Sequence, residues 1–173
     1  MKKIFSLLIA MMMLLSMTTA LAETVQMDAA IPGYKITVTL PEGVTSEVKS
    51  DKDWTWLSFT AGPIYDLTVA PSEVLEGKSM KDLTEEEWET FISVLADNAA
   101  EPKHSRVTLE NDIEFIIVEE TTESNDFAIV ETVFNGYFIC LYGRYADYAK
   151  LTAADLETML QVMGSLTISE TAK

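Results

Sequence analysis

The sequence predicts an α+β protein: an antiparallel sheet of about seven strands, flanked by two main helices. Three observations carry this. Four strand-like runs follow one another between Arg106 and Arg144: RVTL, IEFIIVEE, FAIVETVF and YFICLYGR. Asn135-Gly136 separates the last two, and Asn-Gly between apolar runs marks a two-residue hairpin, because both turn positions take φ > 0. Elsewhere, strand-like runs come in groups joined by turn residues instead of alternating with helices, which favours hairpins over a doubly wound sheet.

The chain opens with MKKIFSLLIAMMMLLSMTTALA. Lys2 and Lys3 form a positive start, Ile4 to Met17 an almost unbroken apolar core, and Ala20-Leu21-Ala22 a small-residue cleavage site. This is the pattern of an export signal cleaved after Ala22. The apolar run is shorter than the ~20 residues that span a bilayer, and no Cys follows it to take a lipid. The expectation is one secreted or extracytoplasmic domain over residues 23–173. Its 151 residues are enough for a real core. The leader holds two of the 12 Lys+Arg and none of the 28 Asp+Glu, so the remainder has a net charge of −18 (10 against 28). Such acidity argues against nucleic acid and anionic membrane surfaces, which need a basic patch.

Along the domain, VQM (25–27) reads as a short edge strand and Pro32-Gly33 as a turn. YKITVTL (34–40) alternates cleanly as a half-buried strand. Pro41-Glu42-Gly43 ends it. DWTWLSFT (53–60) and IYDLTVA (64–70) read as a hairpin broken by Ala61-Gly62-Pro63, and 71–83 as a loop. Thr84-Glu85-Glu86-Glu87 is a capping box, and Trp88, Phe91, Ile92, Leu95 and Ala99 form one helical stripe that ends before Pro102. In the four-strand run, Ile113, Phe115 and Ile117 face one way, and Ile116 and Val118 the other. Strands apolar on both faces belong in the middle of a covered sheet. The polar loop 121–126 should be exposed. Thr152 and Asp155 start a second helix carrying Leu156, Met159, Leu160 and Met163. Gly164 reads as a C′ glycine with φ > 0, Leu166 to Ile168 as a last strand, and the final five residues as frayed.

Points of likeness to a known fold are GYKITVTLPEGV, the capped mid-chain helix, the run ending NGYFICLYGRY, and the closing MLQVMGSLTI. In these features, over most of the domain, the chain resembles the PsbP-like superfamily. That group includes the extrinsic PsbP subunit of photosystem II, a nuclear-import Ran-binding factor and secreted bacterial proteins of unknown role. The resemblance implies an α/β/α sandwich around an antiparallel sheet. It implies no enzyme activity and carries no functional residue across.

His104 is the only histidine and lies in PKHSR, read as an exposed loop, so a Ser-His arrangement has little to build on. Neither G-x-S-x-G nor a phosphate-loop pattern occurs, and Gly143-Arg144 belongs to none. One His and one Cys make zinc a poor fit. The acidic groups Asp51/Asp53, Glu110/Asp112/Glu114 and Glu119/Glu120/Glu123/Asp126 match no calcium-loop spacing and read as solvated faces. Cys140, within an apolar strand, reads as a buried structural thiol. Trp56 and Trp88 read as core. Tyr145, Tyr148 and Trp54 are the candidate partner surface, since exposed aromatics suit sugars or proteins. The expectation is a non-catalytic binding or accessory module, monomeric, without cofactor or metal, recognising a protein or small ligand. The alternative is an exported hydrolase using carboxylates or calcium.

When the full chain is expressed in an exporting bacterial host, the recovered protein is expected to begin at Glu23. N-terminal sequencing that finds residues 1–22 retained would contradict the cleavage reading.

Overall fold

The computed structural model describes residues 21–171 apart from 53, 73–74, 76, 97–101 and 121–126. The leader up to residue 20, Ala99 and the loop 121–126 therefore lie outside the described residues, as does the side chain of Leu95. The elements are β1 (Leu21–Ile31), β2 (Tyr34–Pro41), β3 (Ser46–Asp51), β4 (Trp54–Thr60), β5 (Ile64–Pro71), α1 (Glu85–Ala96), β6 (Pro102–Thr108), β7 (Glu114–Glu120), β8 (Phe127–Phe134), β9 (Tyr137–Arg144), α2 (Ala153–Gly164) and β10 (Thr167–Glu170). A 3-10 turn at Met80–Asp82 precedes α1. Among the described residues, no helix is long and apolar enough to cross a membrane.

The strands form two antiparallel sheets. The large one has seven strands in the order β3-β4-β5-β9-β8-β7-β6; the small one has three, β1-β2-β10. The expectation of one sheet is corrected: YKITVTL and the last strand, expected in it, pair with β1 in the small sheet, and the large sheet reaches seven strands through the unexpected β3. β10 pairs with the free edge of β2, setting Thr167 opposite Thr37 and Glu170 opposite Tyr34. Ser169 and Glu170, expected to fray, are held there. The expected VQM strand is the middle of a longer one: β1 starts at Leu21, and the cleavage predicted after Ala22 removes only its Leu21–Pro41 rung.

The meander β6-β7-β8-β9 is the continuous half of the large sheet. Asn135 (φ 49°) and Gly136 (φ 79°) both adopt the left-handed region, and the hairpin closes with Phe134 opposite Tyr137. Two-sided burial follows as the apolar pattern requires. Phe115, Ile117, Val130, Ile139 and Leu141 lie in a large core on the inner face, with Met27, Ile36, Val38 and Leu40 of the small sheet and Met159, Val162 and Met163 of α2. Ile116, Val118 and Val133 face the other way, into a second core with Leu75, Met80, Trp88 and Phe91. Each such side chain removed from water contributes roughly 1.5–3 kcal/mol. The helices therefore lie on opposite faces of the large sheet.

Several local expectations change. β3 was not foreseen: SEVKSD is polar, and every residue from Glu47 to Asp51 is exposed, so no alternation marks it. β6 starts at Pro102, not Arg106, and Leu109 lies beyond its end. His104 is consequently in a strand, exposed and opposite Val118, not in a loop. Gly164 stays helical without positive φ; the cap is Ser165 in the right-handed region. The Ser165 hydroxyl accepts from the Thr39 amide at 2.7 Å and donates to the Val162 carbonyl at 2.6 Å, satisfying the helix end through a neighbouring strand. Asn111 locks the same corner from the β6–β7 turn, its amide donating to the carbonyls of Met163 (2.9 Å) and Leu166 (3.0 Å).

Both capping boxes form. The Thr84 amide donates to Glu87 Oε2 at 3.0 Å, and the Thr152 amide donates to Asp155 Oδ2 at 2.7 Å. Gly143, which carries no phosphate chemistry, is needed for closeness. A Cβ built there would meet Met159 Sδ at 2.9 Å and the Tyr65 ring at 3.0 Å. Tyr65 is fully buried and cannot swing aside.

Gly143→Ala is expected to destabilise the fold by about 1–3 kcal/mol through overpacking, measured by urea unfolding. An unchanged midpoint would show that α2 can retreat from β9 without cost.

Candidate functional site

Coverage of the large sheet is uneven. The second core draws no residue from β3, β4 or β5, so the described part of α1 roofs only the β7–β9 side of the outer face. The β4–β5 side, which no described residue of α1 reaches, is built by alternation. Thr55, Leu57 and Phe59 of β4 point inward and are buried; Trp54, Trp56, Ser58 and Thr60 point outward. On β5, Tyr65, Leu67 and Val69 point inward, and Asp66 and Thr68 outward.

Register then fixes two transverse rows on the outer face. In one, Lys49 lies opposite Trp56, Trp56 opposite Thr68, Thr68 opposite Cys140, and Cys140 opposite Glu131. In the other, Glu47 lies opposite Ser58, Ser58 opposite Asp66, Asp66 opposite Tyr142, and Tyr142 opposite Ile129. Trp54 is 54% exposed and sits one pleat from Trp56, about 6.6 Å along the strand. Trp56 is only half-buried; its expected place in the core is corrected by this register, which turns it to the open face. Trp88, by contrast, is buried at 5% exposure beneath the Arg106 guanidinium, 4.1 Å from its ring centre.

Among the described residues neither Trp54 nor Trp56 has a ring-stacking or hydrogen-bond partner. Beside them the polar groups are oriented. Ser58 Oγ donates to Asp66 Oδ1 at 2.5 Å. Past Ser58, at the end of the sheet, lies a shallow open hollow of about 220 Å³ bordered by Ser46, Glu47, Ser58, Thr60 and Ile64.

The three residues singled out from the sequence do not meet. Trp54 opens β4, whereas Tyr145 and Tyr148 follow the end of β9, where Arg144 pairs with Ile64; β4 alone separates the two ends by about 20 Å. Tyr145 is half-buried, with its hydroxyl 3.3 Å from both Asp155 carboxylate oxygens. Burial and the Asp155 charge push that hydroxyl's pKa up, and the contact anchors the start of α2. Tyr148 is 65% exposed, with φ 59° and the Arg144 guanidinium 6.0 Å from its ring. The acidic groups read from the sequence are mostly otherwise engaged or outside the described residues: Glu114 pairs with Arg106 at 2.8 Å and Glu119 with Lys103 at 3.1 Å. Among the described residues, no group of three or more His, Cys, Asp or Glu is placed to hold a metal ion.

One charged group escaped the sequence reading. Glu131 is 3% exposed, since β8 alternation puts it on the outer face between Ile129 and Val133. Burial pushes its carboxyl up to about 7, and the neighbouring Cys140 thiol offsets part of that rise. Cys140 is half-buried rather than fully enclosed, and burial and the Glu131 charge push its thiol well up, away from thiolate. A Glu within FAIVETVF was the available signal, because a lone acid amid apolar residues on a two-sided strand must be enclosed on one face or the other. Searches for related proteins return no match, either among family models or among curated proteins.

The folded state binds one more proton than the unfolded state between the ordinary Glu value of 4.5 and about 7. Stability is therefore full below the lower value and lost as pH rises through the upper one. Glu131→Gln is expected to flatten this decline and to be more stable than the parent above pH 7, by about 3 kcal/mol at most. Parallel unfolding curves for parent and variant from pH 4 to 8 would show no such coupling.

Proposed function

We propose that this protein is an exported, non-catalytic binding module, monomeric, whose recognition surface is the open outer face of β4 and β5. One observation carries the reading: two indoles, Trp54 and Trp56, lie on one face of β4 with no partner among the described residues, beside oriented polar groups. Trp54 is exposed and Trp56 half-buried, and binding surfaces are enriched in such aromatics. A sheet interior to the fold holds them without the ordering penalty that loops pay.

The absence of catalysis is part of the proposal. It is supported by His104 standing exposed on the edge strand β6 and by a Cys140 thiol held well away from thiolate. Export is supported by the leader pattern, and β1 retains its pairing from Glu23 onward once the leader is removed. The PsbP-like sandwich is the finer reading of the fold. What supports it is the placement of α1 and α2 on opposite faces of the antiparallel sheet; the small sheet that shares the inner core with α2 is an addition to it.

The exported protein, immobilised and exposed to conditioned medium, is expected to retain a component that the Trp54→Ala/Trp56→Ala double variant does not. Both should unfold cooperatively, the double variant at a somewhat lower temperature because Trp56 is half-buried. Equal retention by both forms would remove the platform as the binding surface.

A further inference from the structure

We infer that the ligand of this platform is an uncharged polysaccharide chain, a conclusion resting on the reading of the β4–β5 face as the recognition surface. The chemistry of the face selects it. A sugar ring presents an apolar C–H face and a rim of hydroxyls. It needs a flat aromatic surface with hydrogen-bonding groups at the edge. Trp54 and Trp56 supply two indoles on one face of β4, one pleat or about 6.6 Å apart along the strand, Trp54 exposed and Trp56 half-buried, neither with a hydrogen-bond partner among the described residues. Thr68 lies directly opposite Trp56, and Asp66, fixed by Ser58, is one pleat further along the same face. Thr68 offers a hydroxyl that donates and accepts, and Asp66 a carboxylate oxygen that accepts.

Other occupants fit less well. An apolar protein segment buried here would desolvate Asp66 without neutralising it, which is costly. Anionic ligands meet that carboxylate on a chain of net charge −16; the adjacent cation, Lys49, is paired with Glu47 at 2.6 Å. A small solute would find no enclosure, since the neighbouring hollow is shallow and open. A polymer can lie across both indoles and need no pocket, gaining contact along its length.

The test is native affinity electrophoresis of the exported protein in gels containing hydroxyethyl cellulose, galactomannan or soluble starch, with polygalacturonate as the anionic comparison. At least one uncharged polymer is expected to retard the protein, and polygalacturonate is not. Trp54→Ala and Trp56→Ala should each weaken retardation by about tenfold, with Trp54→Phe and Trp56→Phe recovering part of it. Asp66→Asn should weaken it less than either indole deletion. Retardation by polygalacturonate alone, or by none of the polymers, would overturn the polysaccharide assignment. If the double Trp variant nevertheless lost its retained component from medium, the platform would stand and only the ligand class would fall. Retardation that survives both Trp deletions would overturn the site itself.

Discussion

The requirement that β7, β8 and β9 be buried on both faces governs this structure. A strand with Ile116 and Val118 on one side and Phe115 and Ile117 on the other cannot leave either face in water. Two different covers meet the demand. The inner face takes the small sheet and α2, which bring the chain's first and last strands together through β2 and β10. The outer face takes α1 and the 3-10 turn before it, through Met80, Trp88 and Phe91. No crosslink helps, since Cys140 is the only cysteine, so cohesion rests on these two cores and the polar ties at their margins.

Those ties gather where α2 meets the sheets. Asn111 reaches the carbonyls at the end of α2, Ser165 joins them to β2, and Asp155 serves both the Thr152 cap and the Tyr145 hydroxyl. Each satisfies a helix end that would otherwise lack partners. Tyr145 thus helps hold the helix in place, and its neighbour Tyr148 remains the exposed ring of the pair. Gly143 completes the corner by letting the Tyr65 ring and Met159 come within van der Waals reach of β9.

The outer cover is narrower than the sheet it protects, and this sets the surface chemistry. Where α1 packs, the face is apolar and Glu131 is held as a reluctant acid at the margin. Two strands away, β5 presents Asp66 and Thr68, and β4 its two indoles. A single transverse row passes from solvent-exposed Lys49 through Trp56, Thr68 and Cys140 to buried Glu131, so the outer face of β4 and the second core's margin are joined by one continuous ladder.

Local sequence determined the α+β class, the four-strand meander, its Asn135-Gly136 turn and both capping boxes. These depend on alternation, turn conformation and side-chain-to-backbone bonds between residues a few positions apart, all readable without the fold. The same alternation put Trp54 and Trp56 on one face of β4. It did not say which face would be roofed, and Trp56 was therefore assigned to the core. Only the tertiary structure decided that, along with the second sheet formed by the chain's ends, the polar edge strand β3, the enclosure of Glu131 and the separation of Trp54 from Tyr145 and Tyr148. The physical reason is shared by all of these: each depends on which distant element packs against a face or an edge, and a strand's own period of two is identical whether its far side meets a helix or water.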